Sequence, residues 1–114
     1  MRHVAPEQNP LSEPVFLILT SLAEEPRHGY ALLKDIESLG AGRVRMSTGT
    51  LYGALRRMLD ARWIEPHKSV DNSRDKQAYR LTKLGLASLT ADVERLKTLT
   101  RAAGARLKAK EGVA

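Results

Sequence analysis

Three short stripes of apolar residues with helical spacing follow one another between residues 12 and 62, and they restrict the fold of this chain more than any other feature. Their apolar positions recur three or four residues apart, which is typical of amphipathic helices. The residues predicted to face the core are Val15, Ile18, Leu19 and Leu22 in the first helix, Leu32, Ile36 and Leu39 in the second, and Leu51, Leu55, Met58 and Leu59 in the third. Because each helix must bury its apolar face, the sequence predicts three helices around one core.

Polar residues mark where these helices begin. Ser12 precedes the first helix and Ser47 precedes the third, and a serine oxygen at such a position accepts a hydrogen bond from the first turn. The second helix is expected over residues 28–39, and the third from Thr48 to about Arg62. The links between the helices are short, so the three helices are expected to pack against their neighbours in the chain.

Two short runs after the third helix have the character of β-strands. Residues 63–67 and 77–81 contain β-branched or aromatic residues and flank a polar, turn-rich stretch, which predicts a hairpin. Pro66 cannot donate a backbone hydrogen bond and restricts the first strand to a sheet edge. Trp63 is expected to fill the space between hairpin and helix rather than to stack on a ligand, and Tyr79 to pack in the core.

The last helix is expected to begin after Thr82 and to carry an apolar seam with heptad spacing over three repeats. Beyond Leu86, the residues expected to pair two copies of the chain are Leu89, Val93, Leu96, Thr100, Ala103 and Leu107. So small a domain has little core left to cover this seam, and a symmetric dimer would bury it. The alternative is that the seam packs only on the first helix of its own chain.

The order of these elements predicts a mainly α-helical fold with a small β-hairpin, namely a winged helix-turn-helix followed by a long C-terminal dimerisation helix. The expected parts are a flexible tail over residues 1–10, the winged domain over residues 11–81, the dimerisation helix over residues 82–110 and a second tail over residues 111–114.

The distribution of charge indicates a polyanionic partner. The chain carries a net charge of +6, with three basic and six acidic residues over residues 1–42 and nine basic and four acidic residues over residues 43–81. A basic middle on a neutral-to-acidic scaffold is typical of a nucleic-acid-binding module, although a merely solvated surface gives the same sum. No cysteine, membrane-length apolar run or secretory signal occurs, so we expect a soluble cytoplasmic protein.

The third helix has an outer face that suits the major groove of double-stranded DNA. Its side chains are small, hydroxylated or cationic, and a slim helix of this kind fits between the two phosphate backbones. The residues expected to contact DNA are Ser47, Thr48, Gly49, Thr50, Tyr52, Gly53, Arg56 and Arg57, together with Arg74 and Lys76 on the hairpin loop. The arginines can pair with guanine edges or phosphates, and the hydroxyls with phosphates.

Three motifs in the same order resemble those of the PadR-like transcriptional regulators, a family of winged-helix DNA-binding repressors. They are the sequences HGY at residues 28–30, STGTLYGALRRM at residues 47–58 and YRLTKLG at residues 79–85. The resemblance spans roughly residues 11–100 and implies DNA contacts by the third helix and the wing, and dimerisation through the last helix. The chain departs from the family pattern at Thr48 and Gly53, where the family usually has proline, and at Trp63, where it usually has an aliphatic residue.

Other functions find less support in the sequence. No paired carboxylates, activated nucleophile, phosphate-binding glycine loop or metal-ligand set is recognisable, so neither an enzyme nor a cofactor is predicted. His67 beside Glu65 is interpreted as a solvated pair, and Tyr30 as a packed residue with a satisfied hydroxyl. All five aromatic residues lie between Phe16 and Tyr79, so the last helix has none with which to stack a planar effector.

The combined hypothesis is a homodimeric repressor that binds an inverted-repeat operator and that a small molecule of unknown identity could regulate. A winged-helix module that docks another protein, without binding DNA, is the alternative. Such a module would present aromatic or aliphatic anchors on the third helix.

Overall fold

The computed structural model describes residues 10–68 and 77–113 of the chain. In this part the elements follow the order α1 (Glu13–Glu24), β1 (Arg27–His28), α2 (Gly29–Leu39), α3 (Thr48–Asp60), β2 (Ile64–His67), β3 (Ala78–Leu81) and α4 (Lys83–Val113). A mainly α-helical winged helix-turn-helix with a long last helix is confirmed. None of the helices described here has the length and apolar character required to cross a membrane.

The three short helices pack their predicted apolar faces into one core. Ser12 caps α1, since its Oγ accepts a hydrogen bond from the backbone N–H of Val15 at 3.4 Å, and Ser47 caps α3 in the same way. The largest fully buried apolar side chains of the described residues are Ile18, Leu19, Leu32, Ile36, Leu51, Leu55, Met58 and Ile64. The assignment of Leu39 to this core was wrong, because Leu39 lies in the last turn of α2 and is 47% exposed.

The sheet has three strands rather than the two of the predicted hairpin, in the order β1-β3-β2. The missed strand, β1, has only two residues, and Arg27 pairs with Tyr79 in antiparallel register. A segment of two residues is too short to show the alternation by which a strand is recognised. The edge position predicted for Pro66 is found, since β2 pairs on one side with β3.

A polar cluster joins α1, β1 and α2. The hydroxyl of Ser21, which is almost fully buried, donates a hydrogen bond to Asp35 at 2.6 Å. The guanidinium of Arg27 lies 3.7 Å from Asp35, and it also pairs with Glu24 and with Glu25. This cluster satisfies the buried hydroxyl and fixes the angle between α1 and α2.

Both α2 and α3 end in a Schellman motif with a residue other than glycine in the left-handed conformation. After α2 this residue is Ala41, with a φ of 54°, and after α3 it is Arg62, with a φ of 64°. In the second motif the N–H of Trp63 donates to the carbonyl of Met58 at 3.0 Å. Left-handed backbone is costly for residues with a Cβ, so both turns store strain.

The long helix α4 runs from Lys83 to Val113, three residues further than the predicted end at residue 110. Its first turn packs tightly on the end of α3. Thr82 donates hydrogen bonds from its N–H to the carbonyl of Trp63 at 3.1 Å and from its hydroxyl to the carbonyl of Arg62 at 2.6 Å. Gly85 is buried against the backbone of Trp63. No side chain fits at this position, because a Cβ would lie only 2.9 Å from the carbonyl carbon of Trp63.

Candidate nucleic-acid interface

Helix α3 presents an uncovered outer face over most of its length. Thr48, Gly49, Thr50, Arg56 and Arg57 are all exposed. The opposite face, which carries Leu51, Leu55 and Met58, is buried in the core. The predicted separation of an apolar back from a polar front is therefore present in the structure.

The hydroxyl groups at the start of α3 have different tasks. Ser47 Oγ accepts a hydrogen bond from the backbone N–H of Thr50 at 3.0 Å and lies 3.0 Å from the hydroxyl of Thr50, to which it donates. The proton of Ser47 is thereby used within the cap, whereas the proton of Thr50 remains available. Of this pair, Thr50 is the better donor to a phosphate, and Ser47 fixes the turn that holds it.

The two glycines of α3 differ in their surroundings. Gly49 is open, and Ser47 Oγ lies 4.0 Å from the position that a Cβ would occupy. Gly53 is half-buried, and the guanidinium of Arg57 lies 3.8 Å from its Cβ position. The side chain of Arg57 thus folds back over Gly53, and only Gly49 leaves the helix surface bare.

Tyr52, a residue of α3, extends its ring to the beginning of α2 and is 45% exposed. Its ring packs against Gly29, whose missing side chain makes the contact possible. A Cβ at Gly29 would lie 3.0 Å from Tyr52 Cζ and closer still to the hydroxyl oxygen. Gly29, in the sequence HGY at residues 28–30, therefore provides the space in which Tyr52 of α3 packs. Helical periodicity does not predict this contact between two helices.

Tyr79 of β3 is buried, as predicted, and stands near Tyr52. Burial raises the pKa of Tyr79 above the ordinary value of 10.0, and the negative charge that Tyr52 can carry raises it by a smaller amount. Tyr79 therefore keeps its proton at neutral pH and acts as a core residue rather than as an ionised group.

The interpretation of Tyr30 as a packed residue was wrong. Tyr30 lies on the outer side of α2 and is 67% exposed, whereas Leu32 and Ile36 occupy the buried side. The sequence pattern placed an aromatic ring among apolar neighbours, but the buried stripe of α2 runs through Gly29, where the chain has no side chain to bury.

The basic surface also includes two residues that the sequence reasoning counted but did not assign to the site. Arg43 and Arg45 are exposed in the link that leads into Ser47. The sequence feature that indicates a role for them at the site is their position, a few residues before the serine that caps α3. Arg74 and Lys76, which were predicted to contact DNA from the wing, lie outside the described residues.

The two strands that flank the wing loop contribute a surface ion pair and no metal site. Arg80 Nε donates to Glu65 Oε2 at 2.6 Å, which pairs β3 with β2 on the exposed face. Within residues 10–68 and 77–113, no group of three or more His, Cys, Asp or Glu residues is placed to hold a metal ion.

The predicted dimer seam of α4 is divided in two. Leu89 is buried and Val93 half-buried, both packed against the chain's own core, so the assignment of Leu89 to an interface between copies was wrong. Leu96 is half-buried, whereas Thr100, Ala103 and Leu107 are exposed. The packing of the seam on α1, the alternative considered above, holds for the first half, and the second half has no cover from residues 10–68.

A shallow groove of about 400 Å³ lies where the covered and uncovered halves of the seam meet. Its lining is mostly apolar and consists of Phe16, Val93, Leu96, Lys97, Thr100 and Arg101. We refer to it as the Phe16 groove. The last helix itself carries no aromatic residue, but α1 supplies Phe16 to the groove beside it.

A three-helix core, a small sheet with a wing and an exposed cationic third helix define a DNA-binding transcriptional regulator of the winged-helix class. Residues 18–91 match the model of the Transcriptional regulator PadR-like family, and the chain belongs to this family. The resemblance seen in the three sequence motifs is thus confirmed.

Individual relatives agree with this assignment. The chain is 33% identical over 84 residues to the transcriptional regulator Rv3488 of Mycobacterium tuberculosis, which covers 74% of this chain and 76% of that protein. A PadR family regulator from Eggerthella lenta superposes with a TM-score of 0.67 at 29% identity, over 82% of this chain and 80% of the other. A PadR family regulator from Clostridium difficile shares the fold with a TM-score of 0.71 at 22% identity, over 84% and 99% of the two chains.

Proposed function

We propose that this regulator acts as a homodimer on an inverted-repeat operator, with one α3 helix of each subunit in successive major grooves. The observation that carries the proposal is the uncovered outer face of α3, on which Arg56, Arg57 and the start of the helix are exposed together. Successive major grooves on one side of the duplex are about 34–36 Å apart, which sets the distance between the two helices. A protein at such a site would repress by excluding RNA polymerase.

The chemistry of this face supports distinct contributions to affinity and specificity. Gly49 lets the backbone approach the groove wall, and Thr50 can donate its free hydroxyl proton to a phosphate. Arg56 and Arg57 lie farther along the helix, and a guanidinium pairs bidentately with a guanine edge. Arg43 and Arg45 add cations beside the same end of α3, where a phosphate backbone would pass.

The exposed half of the α4 seam supports dimerisation in an antiparallel arrangement. An antiparallel pair centred on Thr100 places Leu107 of a second copy opposite Val93, because both residues are seven positions from the centre. Leu107 is 65% exposed within one chain and would enter the Phe16 groove. A parallel pair would instead bring together the two α1 helices, which already cover Val93.

The small residues near the centre favour this crossing. The exposed residues at this point have short side chains or none, so two helix backbones can approach closely there. They are Thr100, Ala103 and Gly104. A small molecule that entered the Phe16 groove would compete with Leu107 of the second copy. It would thereby change the angle between the subunits and the spacing of the two α3 helices.

The DNA proposal is tested by selection from a pool of random-sequence duplexes with the full chain. We expect an enriched inverted repeat whose half-site centres are about 10 base pairs, or a multiple of one helical turn, apart. Six or more phosphate contacts predict that affinity falls roughly 10³-fold or more between about 50 and 200 mM salt. No enrichment, or binding insensitive to salt, would favour a module that docks proteins.

Substitution of the two arginines separates the roles on α3. If Arg56 contacts a base, Arg56→Ala lowers discrimination at one position of the selected site by about 1–3 kcal/mol. If Arg57 contacts a phosphate, Arg57→Ala weakens binding to all duplexes equally. Two variants without effect on either measure would contradict the placement of α3 in the groove.

The dimer proposal is tested by sedimentation velocity of Leu107→Glu. A symmetric dimer loses two buried leucines at about 1.5–3 kcal/mol each, so association should weaken at least ~100-fold. Leu84→Glu is the matched control, because Leu84 is 52% exposed on α4 but outside the seam. A Leu107→Glu protein that sediments as the wild type does would exclude the proposed interface.

A further inference from the structure

Tyr30 and Lys34 form an exposed pair on the outer side of α2. They are four residues apart, which places them one helical turn apart on the same side of the helix. The ammonium nitrogen of Lys34 lies 5.8 Å from the centre of the Tyr30 ring, within the range of a cation–π contact. This contact holds the positive charge near the first turn of α2, where Tyr30 is 67% exposed.

The pair lies beside the exposed face of α3. Gly29, the residue next to Tyr30, is in contact with the ring of Tyr52. Tyr52 shares one side of α3 with Thr48 and Arg56, since these residues are four positions apart in each direction. The first turn of α2 therefore borders the row of α3 side chains that is exposed for DNA.

We propose that Tyr30 and Lys34 bind a phosphate of the DNA backbone next to the major groove that holds α3. The inference rests on the function proposed above and adds a second helix to the contact. In a helix-turn-helix the first of the two helices crosses the backbone, which is the position of α2. The phenolic hydroxyl supplies a neutral donor and the ammonium a positive charge, and a phosphate oxygen accepts from both.

Glu37 limits the contact to the beginning of α2. It lies on the same side of the helix, one turn beyond Lys34, and is exposed. Its carboxylate would repel a phosphate, so the backbone must cross α2 near Tyr30 and turn away before Glu37. Of the charged residues on this side of α2, Lys34 is therefore the one that meets the DNA.

The test compares Tyr30→Phe and Lys34→Gln with Lys83→Gln, a matched lysine at the base of the hairpin. Binding of a labelled 40-base-pair duplex selected by the wild-type protein, and of an unselected duplex of equal length, is followed by fluorescence anisotropy at several salt concentrations. Tyr30→Phe should weaken binding to both duplexes by about 3- to 10-fold and leave the salt dependence unchanged. Lys34→Gln should lower the slope of log affinity against log salt by about 0.9.

Each other outcome is informative. Wild-type affinity and slope in both variants would overturn the phosphate contact, as would an effect of Tyr30→Phe on the selected duplex alone, which indicates a base contact. An equal effect of Lys83→Gln would show that only net charge matters and would also overturn it. A wild-type protein that binds neither duplex would refute the proposed function itself, a result that is distinguishable from failure of this inference.

Discussion

The contact between Gly29 and Tyr52 predicts that Gly29→Ala destabilises the wild-type protein but not a variant that lacks the Tyr52 ring. In the wild-type chain, Gly29→Ala places a methyl group against the ring, with Tyr52 Cζ only 3.0 Å away. Ordinary carbon–carbon contacts are about 3.5–4.0 Å, so the ring must move. The backbone itself accepts alanine, because Gly42 is the glycine with positive φ among the described residues.

The cost of Gly29→Ala is limited by the packing that Tyr52 loses. Tyr52 is 45% exposed, so about half of its ring is covered. An aromatic side chain buries about 150–250 Å², so this half is about 100 Å² and contributes at most about 2.5 kcal/mol at ~25 cal/mol per Å². We expect Gly29→Ala to lower the free energy of unfolding by about 1–2 kcal/mol, which is a decrease in Tm of roughly 5–15 °C.

A double-mutant cycle tests this origin of the cost. In a Tyr52→Ala background the obstacle is absent, and Gly29→Ala should be neutral or stabilise by up to about 1 kcal/mol through helix propensity. Urea unfolding followed by circular dichroism at a fixed protein concentration measures each step. Gly49→Ala, an open glycine on α3, is the control and should stabilise. An equal loss from Gly29→Ala in both backgrounds would refute the role of Tyr52.

Three further predictions concern stability. Ala41→Gly and Arg62→Gly should each raise the free energy of unfolding by about 0.5–1 kcal/mol in urea titrations, because both residues have positive φ. Gly85→Ala should cost more than about 3 kcal/mol or prevent folding, because its Cβ meets the rigid backbone of Trp63. Stability should fall as pH rises above 10, because unfolded Tyr79 ionises while its raised pKa keeps the folded residue protonated, and Tyr79→Phe should flatten this decline.

The sequence predicted those features that depend on local periodicity and capping. The faces of α1 and α3 and the caps at Ser12 and Ser47 follow from spacing and residue type, because each concerns neighbours within about four positions. Arg56 and Arg57 were placed on the outer face for the same reason. These features were correct because no distant part of the chain changes them.

Features that depend on contacts between distant elements were missed or misassigned. Tyr30 was expected to pack, but the residue that packs at this point is Tyr52, which comes from another helix and needs the space at Gly29. Leu89 has the correct heptad spacing for a dimer seam, yet α1 reaches it first. Periodicity identifies an apolar face but does not say which element covers it.

The link between dimerisation and DNA binding lies at the start of α4. Thr82 donates hydrogen bonds to the carbonyls of Arg62 and Trp63, the residues that directly follow α3. These hydrogen bonds fix the direction of α4 relative to the helix proposed to enter the groove. The proposed crossing at Thr100 lies about 25 Å along α4 from this junction at ~1.5 Å per residue. A change of ~10° at the junction therefore moves the crossing by roughly 4 Å in each subunit. Such a displacement changes the distance between the two α3 helices, which must match a groove spacing of about 34–36 Å. Gly85 packs against the backbone of Trp63 and leaves little room for α4 to tilt. The spacing of the two α3 helices in the proposed dimer therefore depends on the geometry of this junction.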